Sequence, residues 1–219
     1  NIENRYGSKI DIENVPLDDE KTYALYQRGD TIGTFQFESQ GMREYLKELK
    51  PSNIEDLIAM NALYRPGPMD FIPMYIKRKH GEQKVEYPHP WLEEILKPTF
   101  GIMVYQEQIM EAARIMAGYS LGNADILRRA MGKKKVAEMA KQKEFFIEGA
   151  IKKGIPKSNA DKIFDIMARF AEYGFNRSHS AAYSVVAYRT AYLKANYTPE
   201  YMAAVLTHNF SDIKKITFM

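Results

Sequence analysis

The pattern of hydrophobic and polar positions along this chain is mainly helical, and proline, glycine and capping residues mark where the predicted helices begin and end. Ser52 and Glu55, for example, form a capping box that opens a helix ending near Leu63. The predicted helices cover residues 18–27, 41–50, 52–63, 106–117, 124–131, 136–153, 158–171 and 180–196, with a last one beginning at 198.

Two stretches depart from this pattern. Residues 31–37 alternate around Gly33, which predicts a short strand. Prolines at 88, 90 and 98 predict an irregular loop over 79–99 with a small helix at 91–96, because proline lacks an N–H and restricts the residue before it. The predicted fold class is therefore mainly α, with minor short β strands and irregular loops.

Composition narrows the functional classes. The 219 residues are 45% hydrophobic and 27% charged, with a net charge of +3 that permits a nucleic-acid partner without requiring one. There is no cysteine for a disulfide or thiolate site, and four scattered histidines argue against a zinc catalyst. No apolar run is long enough to cross a bilayer, so we expect a cytoplasmic protein without a membrane partner. Since the chain opens on Asn1, we expect a piece of something longer.

Residues 118–135 carry a dense cationic cluster beside apolar positions. Arginine and lysine are the two donor types that hold phosphate oxygens, which makes this segment a candidate phosphate site. A solvated helix face is the alternative, since Asp125 lies four residues before Arg129 in the favoured order for an intrahelical ion pair. The candidate ligands are Arg128, Arg129, Lys133 and Lys134.

Residues 173–183 form a second candidate, in which aromatics and a glycine turn lead into a helix whose free N–H groups suit an anion. A helix cap flanked by core aromatics is the alternative. The candidate residues are Asn176, Ser178, His179 and Tyr183. A third candidate is Arg65, held by the stiff Pro-Gly-Pro turn that follows it, although this turn is also readily explained as a structural loop.

Residue patterns for metal-dependent phosphate chemistry are missing. Nucleotidyl transfer normally needs carboxylates close together to hold two metal ions, and the sequence has no Asp-x-Asp pair. It also has no Gly-x-x-x-x-Gly-Lys-Ser/Thr phosphate loop. We therefore predict no catalytic residue and no metal ligand in this chain.

Six segments together resemble the bacterial DNA polymerase III α subunits, the C-family replicative polymerases, in the same order along the chain. These segments are 33–42, 63–68, 105–108, 118–122, 127–134 and 174–183. The resemblance implies the end of the palm over residues 1–30 and a helical fingers domain, truncated at its C-terminal end, over 31–219. The metal-binding aspartates of that family belong to the palm before this region, which agrees with the missing acid pair.

The resemblance also implies roles for the candidates. Arg128 and Arg129 would contact the triphosphate of the incoming deoxynucleotide, with Lys133 and Lys134 in support and Arg65 on the same face. Residues 174–183 would line the nucleotide pocket. The parent enzyme would use Mg²⁺ and primer–template DNA, and would assemble with a sliding clamp, a proofreading exonuclease subunit and a clamp loader.

Two other classes stay open from the sequence. One is a stand-alone helical nucleic-acid-binding module, and the other is a protein-interaction domain that uses its aromatics and basic helix. The sequence before Asn1 distinguishes a polymerase fragment from a stand-alone module, because a polymerase requires an upstream palm with an acid pair. We expect this chain to be inactive without that palm.

Overall fold

The computed structural model describes residues 2–7, 9–132 and 136–219. Within these ranges the chain forms thirteen α-helices, four short 3-10 helices and no sheet, so the mainly α prediction is confirmed. The helices are α1 Ile2–Tyr6, α2 Glu20–Arg28, α3 Gln40–Leu49, α4 Ile54–Leu63, α5 Ile72–Lys79, α6 Glu93–Leu96, α7 Gln106–Ala117, α8 Leu121–Gly132, α9 Val136–Lys152, α10 Lys157–Ala171, α11 Arg177–Asn196, α12 Thr198–His208 and α13 Ile213–Phe218.

The chain divides into two compact units. Unit 1 consists of Asn1–Asn61 and Ala181–Met219, and unit 2 of Ala62–Ser180. The divisions fall within α4 and α11. In the described part of the chain no helix is long and apolar enough to cross a membrane.

Unit 2 is built around α7, which packs against α8, α9 and α10. The core between these helices is aliphatic and aromatic, and includes Phe146 and Phe164 with ring centroids 5.5 Å apart. Gly149 of α9 lies directly on the last residue of α7, Ala117. A Cβ at position 149 would come within 2.2 Å of the Ala117 carbonyl oxygen, so only glycine permits this close approach of the two helices.

Unit 1 places α2 against α3 and α11. Asp19 caps α2 by accepting a 2.9 Å hydrogen bond from the backbone N–H of Thr22, and Gly29 ends the helix in a left-handed conformation. The hydroxyl of Tyr188 on α11 accepts a 2.9 Å bond from the Asp19 N–H. The ring of Tyr188 also lies 5.5 Å from that of Tyr23. These contacts hold the long α11 against the beginning of α2.

The predicted strand at residues 31–37 is wrong. Gly33 and Gln36 both adopt positive φ angles, of 78° and 66°, which curl the backbone into turns instead of extending it. The Thr31 hydroxyl donates a 2.5 Å bond to the Phe37 carbonyl and closes this loop. The alternating pattern of residues 31–37 is therefore accommodated in a loop and not in a strand.

Most predicted helices are confirmed, but two begin earlier than expected. Helix α8 begins at Leu121 and not after Asn123. The Ser120 hydroxyl caps it by accepting a 3.2 Å bond from the backbone N–H of Asn123. Helix α11 begins at Arg177, three residues before the predicted start at Ser180. Helices α1, α5 and α13 were not predicted.

Candidate functional site

Two segments from distant parts of the sequence run side by side in unit 2. The backbone N–H of Gln106 donates to the carbonyl of Phe175 at 2.9 Å, and the N–H of Phe175 donates to the carbonyl of Val104 at 3.1 Å. Tyr105 and Phe175 thereby form an isolated parallel bridge. We call the surrounding group the motif junction, which consists of Arg65, Gln106, Glu107, Arg128 and residues 173–179.

Gln106 connects two of the predicted phosphate segments. Its side-chain amide donates a 3.1 Å hydrogen bond to the carbonyl of Gly174. Its amide oxygen accepts a 3.3 Å bond from Nη1 of Arg128. One side chain therefore links the arginine helix α8 to the turn that precedes α11.

The carboxylate of Glu107, a residue of α7, caps the N-terminus of α11. It accepts from the Asn176 amide at 2.8 Å and from the Arg177 backbone N–H at 3.0 and 3.2 Å. Asn176 in turn accepts a 2.7 Å bond from the N–H of His179. A carboxylate is well placed at the positive end of a helix dipole. The cap alternative weighed from the sequence thus accounts for the hydrogen bonds of Asn176, and an external anion would have to compete with Glu107 here.

Arg65 fastens the other side of the junction. Its Nε donates to the Ala62 carbonyl at 2.8 Å, and its Nη2 donates to the carbonyl of Tyr173. The guanidinium carbon also lies 4.5 Å from the ring centroid of Phe175. Burial lowers the pKa of Arg65. Nearby, Gly67 has a φ of 100°, and a Cβ there would lie 2.4 Å from the Tyr173 ring.

Arg128 and Arg129 share a single carboxylate. Arg128 donates to one oxygen of Asp125 through Nε at 2.9 Å and Nη2 at 2.7 Å, while Nε of Arg129 lies 2.8 Å from the other oxygen. Hydrogen bonding from Arg128, assisted by the charges of both arginines, lowers the pKa of Asp125. The side chain of Arg128 is 32% exposed and that of Arg129 is 66% exposed. Two guanidiniums and one carboxylate leave a single net positive charge on this face.

The structure brings several of the predicted site residues together in unit 2. Five of them lie at the motif junction: Arg65, Arg128, Asn176, Ser178 and His179, whose ring lies 5.4 Å from that of Phe175. Arg129 adjoins this group through Asp125. Ser178 is exposed in the first turn of α11.

The remaining three predicted residues are Tyr183, Lys133 and Lys134. Tyr183 belongs to unit 1, where its ring centroid lies 5.5 Å from that of Phe35. Lys133 and Lys134 lie outside the described residues.

Gln106, Glu107 and Arg177 are absent from the residues predicted to form the site, although the first two make its connecting bonds. The guanidinium of Arg177 lies 5.8 Å from the ring of Tyr105. All three fall within segments that resemble the polymerase family. The family resemblance singled out these segments. Sequence spacing, however, does not show which residues contact each other when they lie about seventy positions apart.

Among the described residues, no group of three His, Cys, Asp or Glu side chains is placed to hold a metal ion. Two carboxylates of this region are already engaged, Asp125 by the arginines and Glu107 by the α11 N-terminus. Magnesium is therefore not assigned to any residue described here.

Comparison with known proteins gives one consistent answer. Residues 1–154 match the bacterial DNA polymerase III alpha subunit finger domain. The chain is 55% identical over 207 residues to the DNA polymerase III subunit alpha of Borreliella burgdorferi, covering 94% of this chain and 18% of the relative. It is 53% identical over 215 residues to that of Chlamydia trachomatis, covering 98% and 17%.

The subunit from Deinococcus radiodurans is 52% identical over 222 residues, covering 98% of this chain and 16% of the relative. The chain thus spans less than one fifth of the length of each of these three relatives. Identity above 50% extends across nearly the whole chain, well beyond the six segments first noted. The chain belongs to the bacterial DNA polymerase III alpha subunit family, in its fingers region.

Proposed function

We propose that this chain is the part of a DNA-directed DNA polymerase that binds the triphosphate of the incoming deoxynucleotide. Arg128 and Arg129 are the proposed contacts. The observation that carries the proposal is their arrangement: adjacent guanidiniums on α8, both partly exposed, oriented by one carboxylate and, for Arg128, by Gln106. Planar guanidiniums held in this way are suited to phosphate oxygens.

The reaction of the whole polymerase would be attack of a primer 3′-hydroxyl on the α-phosphate, with pyrophosphate as the leaving group. The two arginines would position the triphosphate and offset the negative charge that develops on it. In this proposal the magnesium ions are bound by aspartates outside this chain. The chain alone is accordingly expected to be inactive in primer extension.

The other candidates take secondary parts. Lys133 and Lys134 would support the triphosphate, and Ser178, His179 and Tyr183 would line the nucleotide pocket together with Asn176. Arg65 is better assigned as a positioning residue, because its bonds hold the backbone of Tyr173.

Several assignments rest on the family alone. They are a palm-derived segment over 1–30, fingers over 31–219, and a contribution to template positioning. The clamp, the proofreading subunit and the clamp loader would bind other parts of a polymerase that acts in the bacterial cytoplasm.

The decisive test is Arg129→Ala in the full-length natural protein. We expect kcat/KM for deoxynucleotide incorporation to fall by roughly 100-fold, comparable to losing one charge-stabilising donor at an active site. Folding should be preserved, because an exposed ion pair contributes little stability. Steady-state primer extension at varied nucleotide concentration gives the measurement.

Arg114→Ala is the matched control, since Arg114 forms a similar exposed pair with Glu111 at 2.6 Å and has no proposed ligand. Equal effects of the two substitutions would contradict the proposal. Robust extension by the isolated 219-residue chain would contradict the expected inactivity.

A further inference from the structure

Unit 1 contains a half-open cavity of about 440 Å³ that the proposed triphosphate contacts do not involve. Its volume lies in the range of small-ligand sites. Three helices supply the cations that line it: Lys21 and Arg28 from α2, Arg43 from α3 and Lys194 from α11. Lys21 and Arg28 are seven residues apart and so lie on the same face of α2.

Two of these cations are held by neutral groups. Nε of Arg43 donates to the carbonyl of Gly29 at 2.7 Å, and Nζ of Lys194 donates to the carbonyls of Asp30 and Ile32, both at 2.7 Å. These bonds satisfy carbonyls at and just after the end of α2, and they fix both side chains in place. A carbonyl does not neutralise a cation, and N–H groups of both side chains are left over for another acceptor.

The remaining charges leave the cavity strongly positive. Among the described lining residues, Asp30 has the one acidic side chain, and it pairs with Nε of Arg28 at 2.8 Å. Four cations and one carboxylate leave three positive charges. Burial lowers the pKa of Lys194, the carboxylate of Asp30 opposes this shift, and the charge of Arg43 adds to it. An anion placed between them would relieve that repulsion.

The character of the walls indicates which part of a ligand binds. The described residues that line the cavity include no aromatic ring, so they offer no stacking surface for a base. Its remaining walls are mostly aliphatic, from residues such as Ala24, Leu25 and Ile32. Positive charge in a concave site concentrates the field that attracts phosphate.

We propose that this cavity binds phosphate groups, and that their source is the phosphodiester backbone of a DNA strand. The phosphate chemistry follows from the cavity itself, whereas the choice of DNA as its source rests on the proposed polymerase function. The site is distinct in sequence from Arg128 and Arg129, so the two assignments can fail separately.

The test is the double variant Lys21→Glu with Arg28→Glu in the full-length natural protein. Both side chains are exposed, so folding should be preserved, which a thermal melt checks. Fluorescence anisotropy with a labelled single-stranded oligodeoxynucleotide, read over a series of salt concentrations, measures the affinity. We expect roughly tenfold weaker binding. The slope of log affinity against log salt concentration should become shallower by about 1 to 2, which corresponds to the loss of one or two phosphate contacts.

Lys152→Glu with Lys162→Glu is the control, because it makes the same change in charge at exposed positions of α9 and α10. It should change the affinity less than twofold. The neutral pair Lys21→Gln with Arg28→Gln should give an intermediate loss. Equal losses in the test and control variants, or no loss in either, would overturn the proposal.

Two further arms identify the source of the phosphate. With the cavity variant, the KM for deoxynucleotides and the inhibition of oligonucleotide binding by inorganic phosphate are measured beside the wild type. An unchanged nucleotide KM supports DNA as the source. A raised nucleotide KM with unchanged oligonucleotide affinity would overturn it in favour of free nucleotide. Failure of the triphosphate assignment has a separate signature, since it appears only in Arg129→Ala.

Discussion

Two lysines, one in each unit, make the same number of hydrogen bonds to oxygen, but their pKa values are shifted in opposite directions. Lys143 in unit 2 contacts the carboxylates of Asp161 and Asp165 at 2.8 and 2.7 Å, and hydrogen bonding to these acids raises its pKa. Lys194 in unit 1 contacts two carbonyls at 2.7 Å, and burial lowers its pKa. Carboxylate partners raise the pKa of Lys143 whereas burial lowers that of Lys194, so equal numbers of bonds accompany opposite pKa shifts.

The same distinction separates the two candidate phosphate sites. On α8, Asp125 orients Arg128 and Arg129 and cancels one of their charges. In the unit 1 cavity, carbonyls hold Arg43 and Lys194 without cancelling either charge. The first arrangement favours a ligand that must be held in one orientation. The second favours a polyanion that is held by charge.

Asp125→Asn would remove this difference and should have the largest effect. The asparagine keeps the shape of the side chain but loses the charge that aligns both guanidiniums. We expect kcat/KM for nucleotide incorporation to fall roughly 30-fold in the full-length protein, because poorly aligned groups lose much of their catalytic benefit. Binding of inorganic pyrophosphate should tighten, since the face gains a net positive charge.

Glu111→Gln, in the exposed Arg114–Glu111 ion pair of unit 2, is the control for both measurements. If Asp125→Asn raised kcat/KM, the carboxylate would be a competitor of the nucleotide and not an orienting group.

Replacing each of the two lysines with methionine should give the next largest effect. Lys194→Met removes two bonds from a half-buried position, at a cost of about 1.5 kcal/mol, whereas exposed ion pairs such as those of Lys143 contribute less than about 1 kcal/mol. Hydrogen exchange measured by mass spectrometry should therefore be about tenfold faster near residues 29–34 in Lys194→Met. In Lys143→Met, exchange in α10 should change less than about fivefold. The reverse ranking would contradict the comparison.

The smallest effect is the pH dependence of the two lysines. Because the pKa of Lys143 is raised above its ordinary 10.5, its contribution to stability is present below that pH and is lost as pH rises through the folded-state pKa. The pKa of Lys194 is lowered, so its buried charge costs stability at neutral pH, and this cost disappears as pH rises towards 10.5.

Competitive acetylation followed by mass spectrometry measures both midpoints in the intact protein, because only the neutral amine reacts. The midpoint of Lys194 should lie below 10.5 and that of Lys143 above it. Equal midpoints would mean that both lysines have the same electrostatic surroundings.

The sequence predicted those parts of the fold that depend on neighbouring residues. The end of α2, for instance, follows from an aspartate cap and a glycine at the C-terminus, both local signals. The alternation at 31–37 misled because a strand also needs a partner, which a short window does not contain. Helix α11 begins early because Glu107, distant in sequence, caps its N-terminus.

The candidate site divides in the same way. Arg128 and Arg129 were predicted from their own helix, and the Asp125–Arg129 pair from its spacing, and the structure contains that pair. The connection from Arg128 through Gln106 to Gly174 depends on how unit 2 folds, and no local pattern predicts it. Only the family resemblance indicated that these segments act together.

The contact between Gly149 and Ala117 has a consequence for motion in unit 2. Side chains usually act as compliant spacers between helices, but here one backbone rests on another. Helix α9 therefore cannot slip by a residue along α7 without a steric collision. A rearrangement of unit 2 must therefore move α7 and α9 together as a rigid pair, or bend them apart where Gly149 contacts Ala117.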